Sequence, residues 1–214
     1  MSVKSSFALA ATCFALAVPA HADTAAMAWT DLNLRAGPGP GFAILEVIPA
    51  QSAVMIEGCL EASDWCSVTH GATKGWASGS YLTGDKGTAI QVDRATYAVR
   101  TITYEGKKDE AAMVVGTTGA IIGAIIAGPV GAVVGGIIGA GTGAAAAPDT
   151  KVTTYVTANP VETVYLDGEV VVGAGLPETV MLKDIPESEY AYTYVNGVPV
   201  IVGRTDRRVV AIVR

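Results

Sequence analysis

The chain has 214 residues, 50% of them hydrophobic, and a formal net charge of −6 at pH 7. This acidic balance argues against a nucleic-acid-binding protein, because such proteins contact phosphates through a basic surface. Of its 2 histidines, His70 is predicted to lie in a surface turn, and no catalytic motif accompanies it. We therefore expect no enzymatic activity, no cofactor and no metal site.

Residues 1–22 have the pattern of a secretory signal peptide. Lys4 precedes an apolar run from Phe7 to Val18, and small residues stand at Ala20 and Ala22, before the expected cleavage site. The run is shorter than the roughly 20 apolar residues of a membrane-spanning helix. We predict cleavage after Ala22 and export to the periplasm or to an envelope membrane.

Residues 23–83 alternate short β-type runs with turns rich in glycine and proline, which predicts a small all-β barrel. Four motifs recur in the order and spacing of a known family: Leu32-Asn33-Leu34-Arg35-Ala36-Gly37-Pro38, Trp65 at the start of a strand, Gly75-Trp76-Ala77, and Tyr81-Leu82. On these motifs the stretch resembles the bacterial SH3-like domain family.

Members of that family are often ligand-binding modules, and cell-wall peptides are among their ligands. The resemblance implies a binding groove formed by Asn33, Arg35, Trp65, Trp76 and Tyr81. A structural role is the alternative for each residue. The tryptophans could pack in the core or on a hairpin, and Arg35 could pair with an acid or a carbonyl group.

Two cysteines, Cys59 and Cys66, remain after loss of Cys13 with the signal peptide. They flank a turn-rich segment between two predicted strands. An even number of cysteines in an exported protein indicates a disulfide, here across a hairpin. A structural zinc site would need four ligands, and His70 adds only a third.

The connector, residues 84–110, contains two runs typical of strands, Ala89–Val92 and Tyr97–Tyr104. A third such run, Lys151–Thr157, follows the block of residues 111–147. The block is therefore predicted to be an insertion between two strands. A hairpin there would bring Tyr97–Tyr104 near Val152–Val156 and so allow antiparallel pairing of the two.

Residues 111–147 carry no charge, and small residues recur there at every fourth position. This pattern predicts a glycine zipper, in which helices pack closely along a stripe without bulky side chains. Gly128-Pro129 should break the helix, so we predict a helical hairpin of Ala111–Ala127 and Pro129–Ala147. Lipid or copies of the chain would cover it. The predicted packing residues are Gly119, Gly123, Ala127, Gly131, Gly135, Gly139 and Gly143.

Residues 148–214 are predicted to form a β-rich unit, with a hairpin turn at Asn196-Gly197 and a further strand in Arg207–Val213. The runs Leu176–Val180, Asp184–Pro186 and Tyr190–Gly197 resemble an uncharacterised C-terminal domain family of exported alphaproteobacterial proteins. That resemblance implies no known activity.

The predicted fold class is mainly β with a helical hairpin: an SH3-like barrel, a glycine-zipper hairpin and a small C-terminal β unit. The function expected from it is that of a non-catalytic envelope protein. Its SH3-like module would bind a peptidoglycan peptide or an envelope protein, and residues 111–147 would associate with a membrane or with other copies. The alternatives are a purely structural assembly protein without a wall ligand and, third, a secreted stress or virulence factor.

Overall fold

The computed structural model describes most of the chain outside its first residues and its central block. The predicted signal peptide lies outside the described residues. For 120–125 the structure describes the backbone. The described residues are 23–61, 63–85, 87–90, 93–104, 120–125 and 148–214.

The N-terminal part forms an all-β unit of short strands, as predicted. Its neighbouring strands follow the order β3-β2-β6-β5-β4-β1-β7, and a short strand from the connector, β8, runs parallel to β4. A 3₁₀ turn, Gly79–Tyr81, links β6 to β7. The strands are β1 Thr24–Ala28, β2 Leu32–Arg35, β3 Ile44–Ile48, β4 Ala53–Leu60, β5 Trp65–His70, β6 Thr73–Ser78, β7 Leu82–Thr83 and β8 Thr101–Ile102.

The C-terminal part forms a second sheet, with strand order β14-β13-β12-β10-β9 and β11 also beside β12. The pairs β9–β10 and β10–β12 are parallel, whereas the other pairs are antiparallel. The elements are β9 Ala120–Ile125, α1 Thr150–Ala158, β10 Thr163–Asp167, β11 Lys183–Asp184, β12 Tyr190–Val195, β13 Val198–Gly203 and β14 Val209–Ile212.

Hydrophobic clusters cover both faces of this second sheet, because successive side chains of β13 pack into different clusters. Val200 and Val202 belong to a hydrophobic cluster that also contains Leu32 and Leu34 of the N-terminal sheet. Ile201, between them, packs on the other face in a cluster with the helix α1. One continuous hydrophobic core therefore joins the two sheets, and α1 closes the far side.

The predicted hairpin at Asn196-Gly197 is confirmed. β12 and β13 pair on either side of it, and both turn residues have positive φ, 51° and 84°. Asparagine and glycine tolerate this left-handed conformation better than other residues, so the dipeptide fixes the turn and hence the register of the strands. β14 lies within the strand predicted over Arg207–Val213.

The predicted helical hairpin is wrong. Ala120–Ile125, inside the first predicted helix, forms strand β9 parallel to β10, and α1 is the one α-helix in the described part of the chain. Isoleucine is β-branched and favours strands, while each glycine costs a helix about 1 kcal/mol, so pairing with β10 decides the outcome. Among the described residues, no helix is long and apolar enough to cross a membrane. Of the predicted zipper positions, Gly123 lies in β9, and the following lie outside the described residues: Gly119, Ala127, Gly131, Gly135, Gly139 and Gly143.

The strand predicted over Lys151–Thr157 is also wrong, because this segment lies within α1. The Asp149 side chain caps the helix by accepting a hydrogen bond from the Lys151 backbone N–H. Val156 is buried on the sheet, and the Tyr155 ring meets the Tyr192 ring edge-on at 6.1 Å. Tertiary packing of this face outweighs the β propensity of its valines and threonines.

Within its described residues, the connector forms less strand than predicted. A turn occupies residues 94–98, and strand β8 covers two residues of the run Tyr97–Tyr104. β8 pairs with β4, through Cys59 and Leu60, and not with residues 152–156. In the other run, Ala89 forms an isolated bridge with Thr83, and residues 91–92 lie outside the described residues.

The predicted disulfide between Cys59 and Cys66 is formed. The two residues lie opposite each other on the antiparallel strands β4 and β5, and both are fully buried. The bond therefore closes the hairpin at the end where the connector strand β8 joins the sheet.

Candidate functional site

Four of the five predicted ligand-binding residues share one face of the N-terminal sheet. Opposite residues of antiparallel strands point to the same side, and Arg35 lies opposite Trp76, while Trp65 lies opposite Ser78. Alternation along the strands adds Asn33 to this side, which we call the outer face of β2, β5 and β6. The fifth residue, Tyr81, lies in the 3₁₀ turn. Ligand binding by these residues stays a prediction.

The outer face is covered in this structure. Asn33 and Arg35 are each 1% exposed, Trp65 and Tyr81 are also buried, and Trp76 is half-buried. All four residues of β2 are buried, because the hydrophobic core of the N-terminal unit covers Leu32 and Leu34 on the opposite face. The outer cover comes from two places in the same chain, the C-terminal sheet and the end of the connector.

Glu169 covers the Arg35 side of the outer face. The Arg35 guanidinium donates from Nε to Glu169 Oε2 at 2.5 Å and from Nη2 to Oε1 at 2.9 Å. Nη2 also donates to the Asn196 carbonyl oxygen at 3.2 Å. Nη1 donates to the carbonyl oxygens of Pro40 and Phe42 at 2.9 and 2.8 Å. These bonds use all five N–H groups of the guanidinium, so Arg35 ties the glycine-rich loop to the C-terminal region.

The Glu169 carboxylate is equally well satisfied. Its Oε1 also accepts from Asn33 Nδ2 at 3.1 Å and from the Val170 backbone N–H at 3.0 Å. Asn33 Oδ1 is buried and has no hydrogen-bond partner among the described residues. The amide is held in this orientation because its oxygen would repel the carboxylate if the group were turned over. Asn33 and Arg35 thus both donate hydrogen bonds to the Glu169 carboxylate.

The Asn196 side chain supports the segment that carries Glu169. Its Oδ1 accepts from the Leu166 backbone N–H at 2.8 Å, and its Nδ2 donates to the Gly168 carbonyl at 2.9 Å. Gly168 has a φ of 94°, which is accessible to glycine and strained for other residues. The turn after β10 and the hairpin turn of β12 and β13 therefore meet at Arg35.

Glu169 is not among the candidate site residues identified from the sequence. One signal was present. Glu169 directly precedes three consecutive valines, a context in which a solvated acid is unusual. Its partner Arg35 is 134 residues away in sequence, so no local pattern indicates the pairing.

Tyr104 covers the Trp76 side of the outer face. Its ring meets the Trp76 ring at 5.4 Å and the Phe42 ring at 6.0 Å, both nearly edge-on, in a geometry that aromatic pairs favour. Phe42 is buried over the glycine-rich loop, where a Cβ on Gly37 would lie 2.3 Å from its ring. Glycine at position 37 is thus needed for Phe42 to reach this place.

A polar cluster lies beside Tyr81. The Asp64 carboxylate accepts hydrogen bonds from the Ser80 backbone N–H and hydroxyl, both at 2.9 Å, and from the Ser78 hydroxyl. Burial raises the pKa of Asp64, and these hydrogen bonds oppose the rise. Burial also raises the pKa of Tyr81, as do the charges of Asp64 and Glu169. The Tyr81 hydroxyl therefore stays neutral and is unsuited to proton transfer near pH 7.

We expect replacement of Asp64 by asparagine to favour the folded state increasingly as the pH rises. Because the folded state raises the pKa of Asp64, it holds this proton more tightly than the unfolded chain does, and ionisation at higher pH lowers stability. Below about pH 3 the carboxyl is protonated in both states, because an ordinary aspartate has a pKa of about 3.9. Urea unfolding of both proteins at about pH 4 and about pH 7 measures the difference.

A matched control is Glu46→Gln, for which the opposite sign is expected. Hydrogen bonds with His70 and Thr73 lower the pKa of Glu46, so its ionised form stabilises the folded state and that contribution is lost as the pH falls. The stability of this variant relative to wild type should therefore fall as the pH rises. The same sign of change in both variants would contradict the assignment of Asp64.

Two family models match parts of the chain. Residues 30–83 match the family described as bacterial SH3 domain, and residues 155–214 match a family described as a domain of unknown function (DUF1236). Both resemblances inferred from the sequence are thereby confirmed. No curated protein and no solved structure matches the chain.

Proposed function

We propose that this chain is a non-catalytic cell-envelope protein in which the SH3 domain is a binding module that is held by its own C-terminal domain. The two domains would act as one body in an envelope assembly, and not as a wall-peptide receptor followed by an independent domain. The observation that carries the proposal is the buried contact of Glu169 with Arg35 and Asn33.

The occupancy of Arg35 is what favours assembly over wall binding. A carboxylate of a wall peptide could bind Arg35 only by displacing Glu169, which would leave a buried acid without its partner. Breaking a buried ion pair on one side costs about 3–5 kcal/mol, so a free peptide would need to recover that free energy before it gained any affinity. The Arg35 half of the outer face is therefore a domain contact, and the Trp76 half is left for a partner.

Two features support an envelope location. The signal-like pattern of residues 1–22 predicts export, and a disulfide such as Cys59–Cys66 persists in oxidising compartments. Expression of the full-length chain in a Gram-negative host should yield a protein whose N-terminus is Asp23, recovered from the periplasm or the membrane fraction. An intact N-terminus in a cytoplasmic fraction would contradict export.

A pull-down on purified peptidoglycan sacculi separates assembly from wall binding. We expect the mature wild-type chain to be retained no more than an unrelated periplasmic protein. Trp76→Ala and Lys74→Ala change a half-buried and an exposed residue of the same strand and serve as a matched pair. Retention of wild type that is lost in Trp76→Ala and kept in Lys74→Ala would overturn the assembly proposal in favour of wall binding.

A further inference from the structure

The two halves of the outer face are covered very differently. The C-terminal domain lies over Arg35. Within that domain Glu169 accepts a hydrogen bond from the Val170 N–H, and the Asn196 side chain bonds to Leu166 and Gly168. At the other half, the cover described on Trp76 is the ring of Tyr104, and both residues are half-buried. The Trp76 half is thus the part of the outer face that a small movement of Tyr104 can expose.

The aromatic site under Tyr104 is built independently of Tyr104 itself. Trp76 is fixed in β6, between β2 and β5. Phe42 is fixed through its backbone, because Arg35 Nη1 holds the carbonyl oxygens of Pro40 and Phe42. Removal of Tyr104 would leave these two rings in place, ready to receive a third ring edge-on.

Tyr104 reaches this site from a short segment at the margin of the N-terminal sheet, in which Arg100 is bonded to Cys59 and to Glu57 of β4. β8, which precedes it, is two residues long, and it pairs with β4 through Thr101 and Ile102. Thr103 and Tyr104 continue beyond the strand. Short strands at a sheet margin open at low free energy compared with the core, so this end of the connector is suited to exchange.

We propose that Phe42 and Trp76 form a binding site for a tyrosine or phenylalanine side chain from an extended segment of a partner protein. Tyr104 is the built-in occupant that the partner replaces. The ligand is expected to be aromatic because the Tyr104 ring already fits between Phe42 and Trp76. It is expected to be extended because the segment that carries Tyr104 directly follows strand β8. This proposal rests on the binding role of the SH3 domain proposed above.

The experiment uses the mature chain with Tyr104→Ala, and a fluorescently labelled peptide with the sequence of residues 99–108 as the probe. A second peptide, with alanine in place of tyrosine at position 104, is the matched control. We expect the variant to bind the tyrosine peptide about tenfold more tightly than the alanine peptide, as one aromatic contact provides. Wild type should bind the tyrosine peptide at least about tenfold more weakly than the variant, because its own Tyr104 competes at an effective concentration near millimolar.

Two further variants test whether the rings carry the effect. Tyr104→Phe keeps a ring in the site and should behave as wild type does. Trp76→Ala combined with Tyr104→Ala should bind both peptides equally weakly. Circular dichroism checks that each variant is folded, and Tyr104→Leu, with the same expected result, replaces Tyr104→Ala if the latter unfolds.

Three outcomes would overturn the proposal. The first is equal binding of the two peptides to the folded Tyr104→Ala protein, and the second is binding to wild type as tight as to the variant. The third is sedimentation of wild type as a dimer that Tyr104→Ala dissociates, since the occupant would then be a second copy of the chain. None of these readouts uses peptidoglycan, so the result is separate from the wall-binding test.

Discussion

Replacing Glu169 by glutamine is expected to lower the free energy of unfolding by about 3–5 kcal/mol. The substitution keeps the shape of the side chain and removes its charge, which leaves the Arg35 guanidinium buried without a counter-ion. The glutamine amide also replaces one acceptor oxygen by an NH₂ donor. In one orientation this donor faces Asn33 Nδ2 and the Val170 N–H, and in the other it faces Arg35 Nε. Urea unfolding followed by circular dichroism measures the loss.

Glu178→Gln is the matched control, because Glu178 is exposed on the same domain. Its effect should stay within about 0.5 kcal/mol. The double variant Arg35→Met with Glu169→Leu should recover only part of the loss. It removes the unpaired charge, but it leaves the Phe42 carbonyl group and the Asn33 amide without their partners. Equal effects of Glu169→Gln and Glu178→Gln would show that the ion pair does not hold the domains together.

Comparison of the double variant with its two single variants also separates the electrostatic and the hydrophobic contributions to the contact between the domains. If the coupling of Arg35 and Glu169 is electrostatic, the two single changes will each destabilise strongly and their effects will not add. If instead the hydrophobic cluster shared by the two sheets carries the contact, the single changes will be small and additive. The first result is expected, because the side chains of both residues are almost fully buried and so little screened by water.

The features that sequence alone predicted correctly depend on local chemistry. Asn196-Gly197 sets a turn through the conformational preferences of two residues, and Cys59 and Cys66 face each other because a short turn joins their strands. The glycine-rich motif that follows Arg35 is also a local signal, and it lies within the residues 30–83 that match the bacterial SH3 domain family. Each signal is complete within a few residues, so no knowledge of the rest of the chain was needed.

The features that sequence reasoning missed depend on distant partners. The spacing of small residues in 111–147 fits a helix, yet Ala120–Ile125 becomes a strand because β10 offers it hydrogen bonds. The segment of α1 has the composition of a strand and becomes a helix because the sheet provides a surface for Val156. The contact of Arg35 with Glu169 is the clearest case. The sequence allowed Arg35 to pair with an acid, but it did not identify which acid, because the two residues are 134 positions apart.

Reduction of the Cys59–Cys66 disulfide is expected to lower the free energy of unfolding by about 2–3 kcal/mol, the second large effect in this molecule. The cysteines are 7 residues apart, so the bond closes a small loop and constrains the unfolded chain less than a long-range disulfide would. The measurement is urea unfolding of the wild-type protein with and without dithiothreitol.

Cys59→Ala combined with Cys66→Ala should lose more stability than reduction alone. Both sulfur atoms are fully buried, so the alanine pair removes packing as well as the cross-link, whereas reduction leaves the sulfur atoms in place. Loss of the disulfide by reduction should also loosen the connector, because Cys59 pairs with Thr101 of β8 and its N–H bonds to the Arg100 carbonyl at 3.0 Å. Amide hydrogen exchange at Cys59 and Thr101 in the reduced protein tests this link: faster exchange is expected there, and unchanged exchange would show that β8 is held without the disulfide.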